Sequence, residues 1–160
     1  MIGMDQPEMV ATDEVCKQII RHWCEAIEDG DPRYTDEEYA RQGKYGSIVA
    51  PPTMIWSWMI PPRWPPQERP AVYKALFETC GRGGFDQVID TDCDMEFFRP
   101  LLPGDRVKAV TKVADVSTEK RTGLGRGHFI TIESTYKNQR GELICIQRII
   151  LLMYRAGHND

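Results

Sequence analysis

Three cationic side chains, Lys120, Arg121 and Arg126, crowd a short segment that also contains Gly123 and Gly125. Cations on a glycine-bearing connection can pair with phosphate oxygens, arginine through two parallel N–H bonds. A solvated hairpin is the plainer reading of the same residues. Asp29 stands in the turn sequence Glu-Asp-Gly-Asp-Pro, where a carboxylate commonly accepts from nearby backbone N–H groups. Trp56, Trp58 and Trp64, with Met54 and Met59, concentrate flat and adaptable apolar surface, suited either to a core or to the wall of an apolar pocket. His22 and His128 have no second His or Cys at ligand spacing, so the sequence predicts no metal site. Ser57 and Cys80 lie outside any nucleophile-elbow context, which gives no support to a hydrolase triad.

These residues must be positioned by a single domain, because 160 residues fit one hydrophobic core. Hydrophobic residues at 41% and charged residues at 28% exclude the composition of a disordered chain. A net charge of −4 gives no general attraction for a phosphate backbone, so no nucleic-acid partner is expected. The longest apolar stretch, residues 143–154, falls short of the ~20 residues a membrane-spanning helix needs. The N-terminus lacks a basic segment followed by an apolar one, and the expected location is the cytoplasm. Five scattered cysteines without Cys-x-x-Cys spacing read as free thiols.

Period and punctuation divide the chain in two. Val15, Ile19, Trp23 and Ile27 recur every four residues after the capping residues Thr12 and Asp13, predicting a helix that ends near Gly30. A second cap and acidic first turn at Thr35-Asp36-Glu37-Glu38 starts a short helix ending near Gly43. Residues 48–60, IVAPPTMIWSWMI, predict a helix apolar on every face and therefore buried, with prolines at its start. Residues 61–70 hold five prolines and predict an extended loop, followed by a short helix over 71–80. From Asp90 onward the period becomes two, and the turn at Asn138-Gln139-Arg140-Gly141 joins strands over 129–136 and 143–154. A buried helix ahead of a long antiparallel meander is an α+β arrangement in which the sheet wraps the helix.

The blocks EDGDPRYTDEEYA, YGSIVAPPTM, FFRPLLPGDRV and LGRGHF, in that order, resemble the MaoC-like dehydratases and enoyl-CoA hydratases of the N-terminal dehydratase type. Within that group the chain is most similar to the MaoC-like half of the larger subunit of actinobacterial steroid side-chain enoyl-CoA hydratases. The resemblance covers about Ala26 to Tyr154 and implies a hot-dog fold. The family motif is Asp-x-Asn-Pro, an apolar residue, then His, with the Asp and His acting through a water on the enoyl double bond. Matched at Pro32, the motif places Asp29 on the catalytic aspartate, Asp31 on the asparagine, Arg33 on the apolar position and Tyr34 on the histidine. A phenol with an ordinary pKa of about 10 exchanges protons at neutrality far less readily than imidazole at about 6.5. The family's oxyanion-hole glycine aligns with Pro51, which has no N–H to donate.

Through this resemblance the ligand becomes an acyl-CoA thioester. Met54, Trp56, Trp58 and Trp64 are then the candidate pocket for a bulky, polycyclic acyl group, and Lys120, Arg121 and Arg126 the candidate partners of the coenzyme A phosphates. No cofactor or metal is implied. The expected role is a subunit of a heteromeric hydratase, a second MaoC-like subunit bringing the Asp/His pair, with homo-oligomerisation the other possibility. A non-catalytic acyl-CoA-binding scaffold and a self-sufficient homo-oligomeric dehydratase using Asp29 and Tyr34 stand as alternatives.

Overall fold

The computed structural model describes residues 2–66 and 70–157. Its scaffold is one antiparallel sheet built from β1 (Met9–Val10), β2 (Gln87–Phe97), β3 (Lys108–Val116), β4 (Lys120–Thr122), β5 (Gly125–Lys137) and β6 (Leu143–Ala156). The strand order is β1-β3-β5-β6-β2, with β4 pairing alongside β5. The period-two residues do what alternation predicts. Val107, Ala109, Thr111 and Val113 are buried, as are Ile130, Ile132, Ser134 and Tyr136 on β5. Gly141, at φ 79, closes the β5–β6 turn in a conformation that glycine adopts without a Cβ penalty. The two long strands keep one register over most of their length, from Gly125↔Ala156 to Tyr136↔Cys145.

Helices cover one face of this sheet. The first, α1 (Lys17–Ile27), packs Ile20 and Cys24 inward and leaves Ile19 and Ile27 exposed. The four-residue apolar repeat expected from Val15 to Ile27 is therefore not the buried stripe. Only Val15 and part of Trp23 join the core, and the helix closes at Glu28 in the left-handed region rather than near Gly30. Next come α2 (Pro32–Thr35), with proline at its first turn, and α3 (Glu37–Gln42), whose first N–H groups are accepted by Asp36 as its sequence predicts.

The segment 48–60 departs further from expectation. Helical structure there is limited to a 3₁₀ turn over Pro52–Met54 and the single-turn-plus α4 (Ile55–Met59). Met54, Ile55 and Trp58 are buried, whereas Trp56 and Ile60 are exposed, so apolarity on every face did not bury every face. The longer α5 (Ala71–Arg82) shares the central position, packing Val72, Leu76 and Cys80 on Val113, Ile130, Ile132, Leu151 and Met153. Residues 61–66 form neither helix nor strand; 67–69 of the proline-rich stretch lie outside the described residues. Two helical pieces thus fill the concave side of a hot-dog sheet. β2 is exposed along nearly its whole length and unpaired on its outer edge.

Candidate functional site

The site begins in a tight turn. Asp29 Oδ1 accepts the Asp31 N–H at 3.1 Å, holding the Gly-Asp-Pro turn, and Asp31 Oδ1 in turn accepts the Arg33 N–H at 2.9 Å. The Arg33 guanidinium forks onto the Asp31 carboxylate, Nη2 lying 2.5 Å from Oδ2, and this pair holds the Asp31 carboxyl below its ordinary value. One residue further, Tyr34 is partly buried under the Arg33 guanidinium, which sits 5.5 Å from the ring centroid. Burial pushes the Tyr34 phenol above its ordinary value and outweighs the opposing pull of Arg33. Tyr34 is protonated throughout the neutral range and cannot serve there as a base.

Arg33 O accepts the Val49 N–H at 3.2 Å, and Ala50 N–H reaches Leu101 O at 2.9 Å. These two bonds draw the α2–α3 segment, the start of the central helical pieces and the β2–β3 connection around one cleft of about 470 Å³. Its wall includes Tyr34, Tyr39, Tyr45, Pro51, Ile55, Phe97, Phe98, Arg99 and Leu101. Pro51 and Pro52 stand side by side at the head of the 3₁₀ turn, and neither brings an N–H into the cleft. Asp29 is not part of this wall; its charge reaches Tyr34 only as a minor influence. The cleft therefore combines apolar and phenolic groups with the cations Arg33, Lys44 and Arg99, and has neither an imidazole nor a donor at Pro51.

Other sequence-derived candidates lie elsewhere. Met54 and Trp58 are core residues at 0% and 5% exposure, while Trp56 and Trp64 are open at 46% and 83%; none of the four lines the cleft. Lys120, Arg121 and Arg126 gather on the β4–β5 hairpin at the opposite end of the sheet. His128 Nδ1 lies 2.9 Å from Ser117 O and its ring packs edge-on to Phe85, a structural setting. Among the described residues, no group of three His, Cys, Asp or Glu side chains is placed to hold a metal ion, and no helix is long and apolar enough to cross a membrane. The wall residues Phe97, Phe98 and Arg99 carried no assignment in the sequence beyond their place in the FFRP block.

Against known proteins, the model of the FAS1-like dehydratase domain region matches residues 1–147. A probable enoyl-CoA hydratase alpha subunit of Thermomonospora curvata is 39% identical over 151 residues, 92% of this chain and 47% of that protein. The 3-oxo-4,17-pregnadiene-20-carboxyl-CoA hydratase alpha subunit of Mycobacterium tuberculosis is 34% identical over 128 residues, 80% of this chain and 41% of that protein. The chain thus spans less than half the length of these two curated relatives. A chain of the ChsH1–ChsH2 complex from Mycobacterium tuberculosis superimposes with a TM-score of 0.88 at 28% identity, covering 97% of this chain and 86% of that one. A sheet curled over two helical pieces, the blocks that line its cleft and a family match over nearly the whole chain converge: this protein belongs to the FAS1-like dehydratase-region family of MaoC-like hot-dog proteins.

Proposed function

We propose that this chain is the non-reacting subunit of a heteromeric enoyl-CoA hydratase, in which a second MaoC-like chain supplies the Asp/His pair. The reaction is addition of water across a trans-2-enoyl thioester to give a 3-hydroxyacyl thioester. The observation that carries the reading is Tyr34: at the position matched to the motif's histidine, a phenol held protonated by burial faces a cleft whose other matched donor position is Pro51. Two relatives are named alpha subunits of CoA-thioester hydratases, and the similar solved structure is a two-component complex, which supports the heteromer.

In this proposal β2 is the joining strand. Eleven residues with an open hydrogen-bonding edge and Val88, Ile89 and Phe97 exposed are a liability in a lone protein and an asset in a paired one. Trp56 and Trp64, left open by the chain's own fold, face the bulky acyl tail across the joint, whereas Met54 and Trp58 are buried in the chain's own core. The steroid-derived nature of that tail and the cytoplasmic setting belong to the same proposal.

The test is co-expression with genomically adjacent MaoC-like chains, native mass spectrometry of the product, and an enoyl-CoA hydration assay on the complex and on the chain alone. The expected result is a heteromer that turns over and an isolated chain that does not. Turnover of several per second by the isolated chain, within the usual enzymatic range of roughly 1–10³ s⁻¹, would sink the proposal in favour of a self-sufficient dehydratase. A stable complex with no hydration would instead leave an acyl-CoA-binding scaffold.

A further inference from the structure

The β4–β5–β6 corner carries a feature that strand pairing alone does not favour. Arg121 pairs directly with Arg126, and Arg126 pairs directly with Arg155, so three guanidinium groups stand in one row across three strands. Directly opposed residues in an antiparallel sheet share a face, and like charges so placed destabilise the pairing. The row is only partly neutralised. Glu119 engages Arg126 at 2.8 Å, and Arg155 donates to Gly83 O at 2.9 Å while stacking on Phe85 at 4.9 Å. The Arg121 guanidinium has no hydrogen-bond or ion-pair partner among the described residues.

Beside the row lies a cavity of about 420 Å³ lined by all three arginines and by the backbone of Gly123, Gly125 and Gly157. Glycine is required at Gly125: its φ is 137, and a Cβ there would fall 2.0 Å from Arg155 O. Backbone and guanidinium groups are thereby brought close together around one hollow, the setting in which phosphate oxygens are bound bidentately. Lys120 does not contribute, since it pairs opposite Gly127 and its ammonium lies over Phe129 on the other face.

Arg155 and Ile144, the latter on the cleft wall, are eleven residues apart on β6. At roughly 3.3 Å per residue this is about 35 Å measured along the strand. The arginine row and the cleft therefore stand toward opposite ends of the sheet.

We propose that Arg121, Arg126 and Arg155 form a diphosphate-binding site that holds the phosphates of a coenzyme A thioester whose acyl group lies in the partner subunit. The inference rests on the heteromeric reading above, but the site is tested without it. Isothermal titration of the full chain with inorganic pyrophosphate and with coenzyme A is compared between the parent and the Arg121→Gln/Arg126→Gln variant. The expected result is at least tenfold weaker binding of both ligands by the variant, and a parental affinity that falls steeply with salt. Pyrophosphate should raise the parent's melting temperature and leave the variant's unmoved. Without ligand the variant should melt no lower than the parent, because the substitution relieves repulsion, whereas a purely structural row would melt earlier.

Equal binding by parent and variant, or no binding by the parent, overturns the site. Phosphopantetheine binding as tightly as coenzyme A overturns its assignment to a diphosphate. Failure of the complex to hydrate enoyl-CoA would remove the proposed function and leave these binding results standing.

Discussion

Arg140 Nη2 donates to Asp105 Oδ1 at 2.7 Å, bridging the β5–β6 turn to the connection that forms the cleft wall. Asp105 is 1% exposed, and its two oxygens also accept from Leu102 N–H at 3.0 Å and Asn138 Nδ2 at 3.3 Å. A buried carboxylate met by three donors holds the Leu-Leu-Pro-Gly-Asp turn shut, and Leu101 at the start of that turn packs against the cleft.

Removing this carboxylate should be costly. Asp105→Ala leaves the Leu102 N–H without its acceptor, removes one of the two acceptors of Asn138 Nδ2 and one partner of Arg140, and is expected to destabilise the chain by about 2–3 kcal/mol. Asp105→Asn, which keeps one acceptor oxygen, should cost less. Urea unfolding of both variants against the parent provides the measurement, and an unchanged midpoint for Asp105→Ala would show that the turn closes without it.

The same corner contains a pH-dependent element. The hydrogen bond from Asn138 Nδ2, followed by that from Arg140 Nε, holds the Glu142 carboxyl down to about 2 from 4.5, and Glu142 also pairs with Arg99 of the cleft wall. A depressed carboxylate contributes stability that is fully present above its unfolded value and is lost as pH falls through its folded one. The melting-temperature gap between parent and Glu142→Gln should therefore stay constant above pH 5 and close between about 4.5 and 2. A gap that persists unchanged to pH 2 would remove the carboxylate charge as its cause.

Two tryptophans six residues apart make opposite predictions. Trp58→Ala should cost about 3–5 kcal/mol, because its side chain is 5% exposed within the core shared by Met54, Ile55 and Tyr136. Trp64→Ala, at 83% exposure, should alter the isolated chain's stability by less than about 0.5 kcal/mol. Its effect belongs to the assembled complex, where native mass spectrometry at increasing dilution should show weaker association. Equal destabilisation of the lone chain by both would contradict the burial difference.

The sheet was legible because strands with one buried face must alternate: Val107 to Val113 and Ile130 to Tyr136 announce their inward side. The central helix was less so. IVAPPTMIWSWMI carries no polar face to show which side is open, and two proline runs shorten it to Pro52–Met59. On α1 the stripe through Ile19 and Ile27 competed with the one through Ile20 and Cys24, and only packing chose between them. Tyr34 and Pro51 were found as departures from a motif. Phe97 and Arg99 went unassigned because their presence in the cleft depends on the Ala50–Leu101 bond, a contact between residues fifty-one positions apart. The Arg121–Arg126–Arg155 row likewise exists only through register, since Arg155 is remote in sequence from the other two.

Restoring the missing imidazole should not by itself create a hydratase. Tyr34→His returns a group able to exchange protons near neutrality, but Pro51 still offers no N–H at the matched oxyanion position, and Arg33 still occupies the motif's apolar position, forked onto Asp31. The two defects act on different parts of one transition state, proton transfer on one side and enolate charge on the other. Repairing one should recover little, and the Tyr34→His/Pro51→Gly double variant disproportionately more, since an oxyanion donor alone is commonly worth roughly 10²–10³ in rate. Enoyl-CoA hydration by parent, single and double variants, each checked for an unchanged thermal melt, measures the coupling. If Tyr34→His alone reached an ordinary hydratase rate, Pro51 would not stand at the oxyanion position, and the proposal that this cleft is inactive would rest on a single side chain.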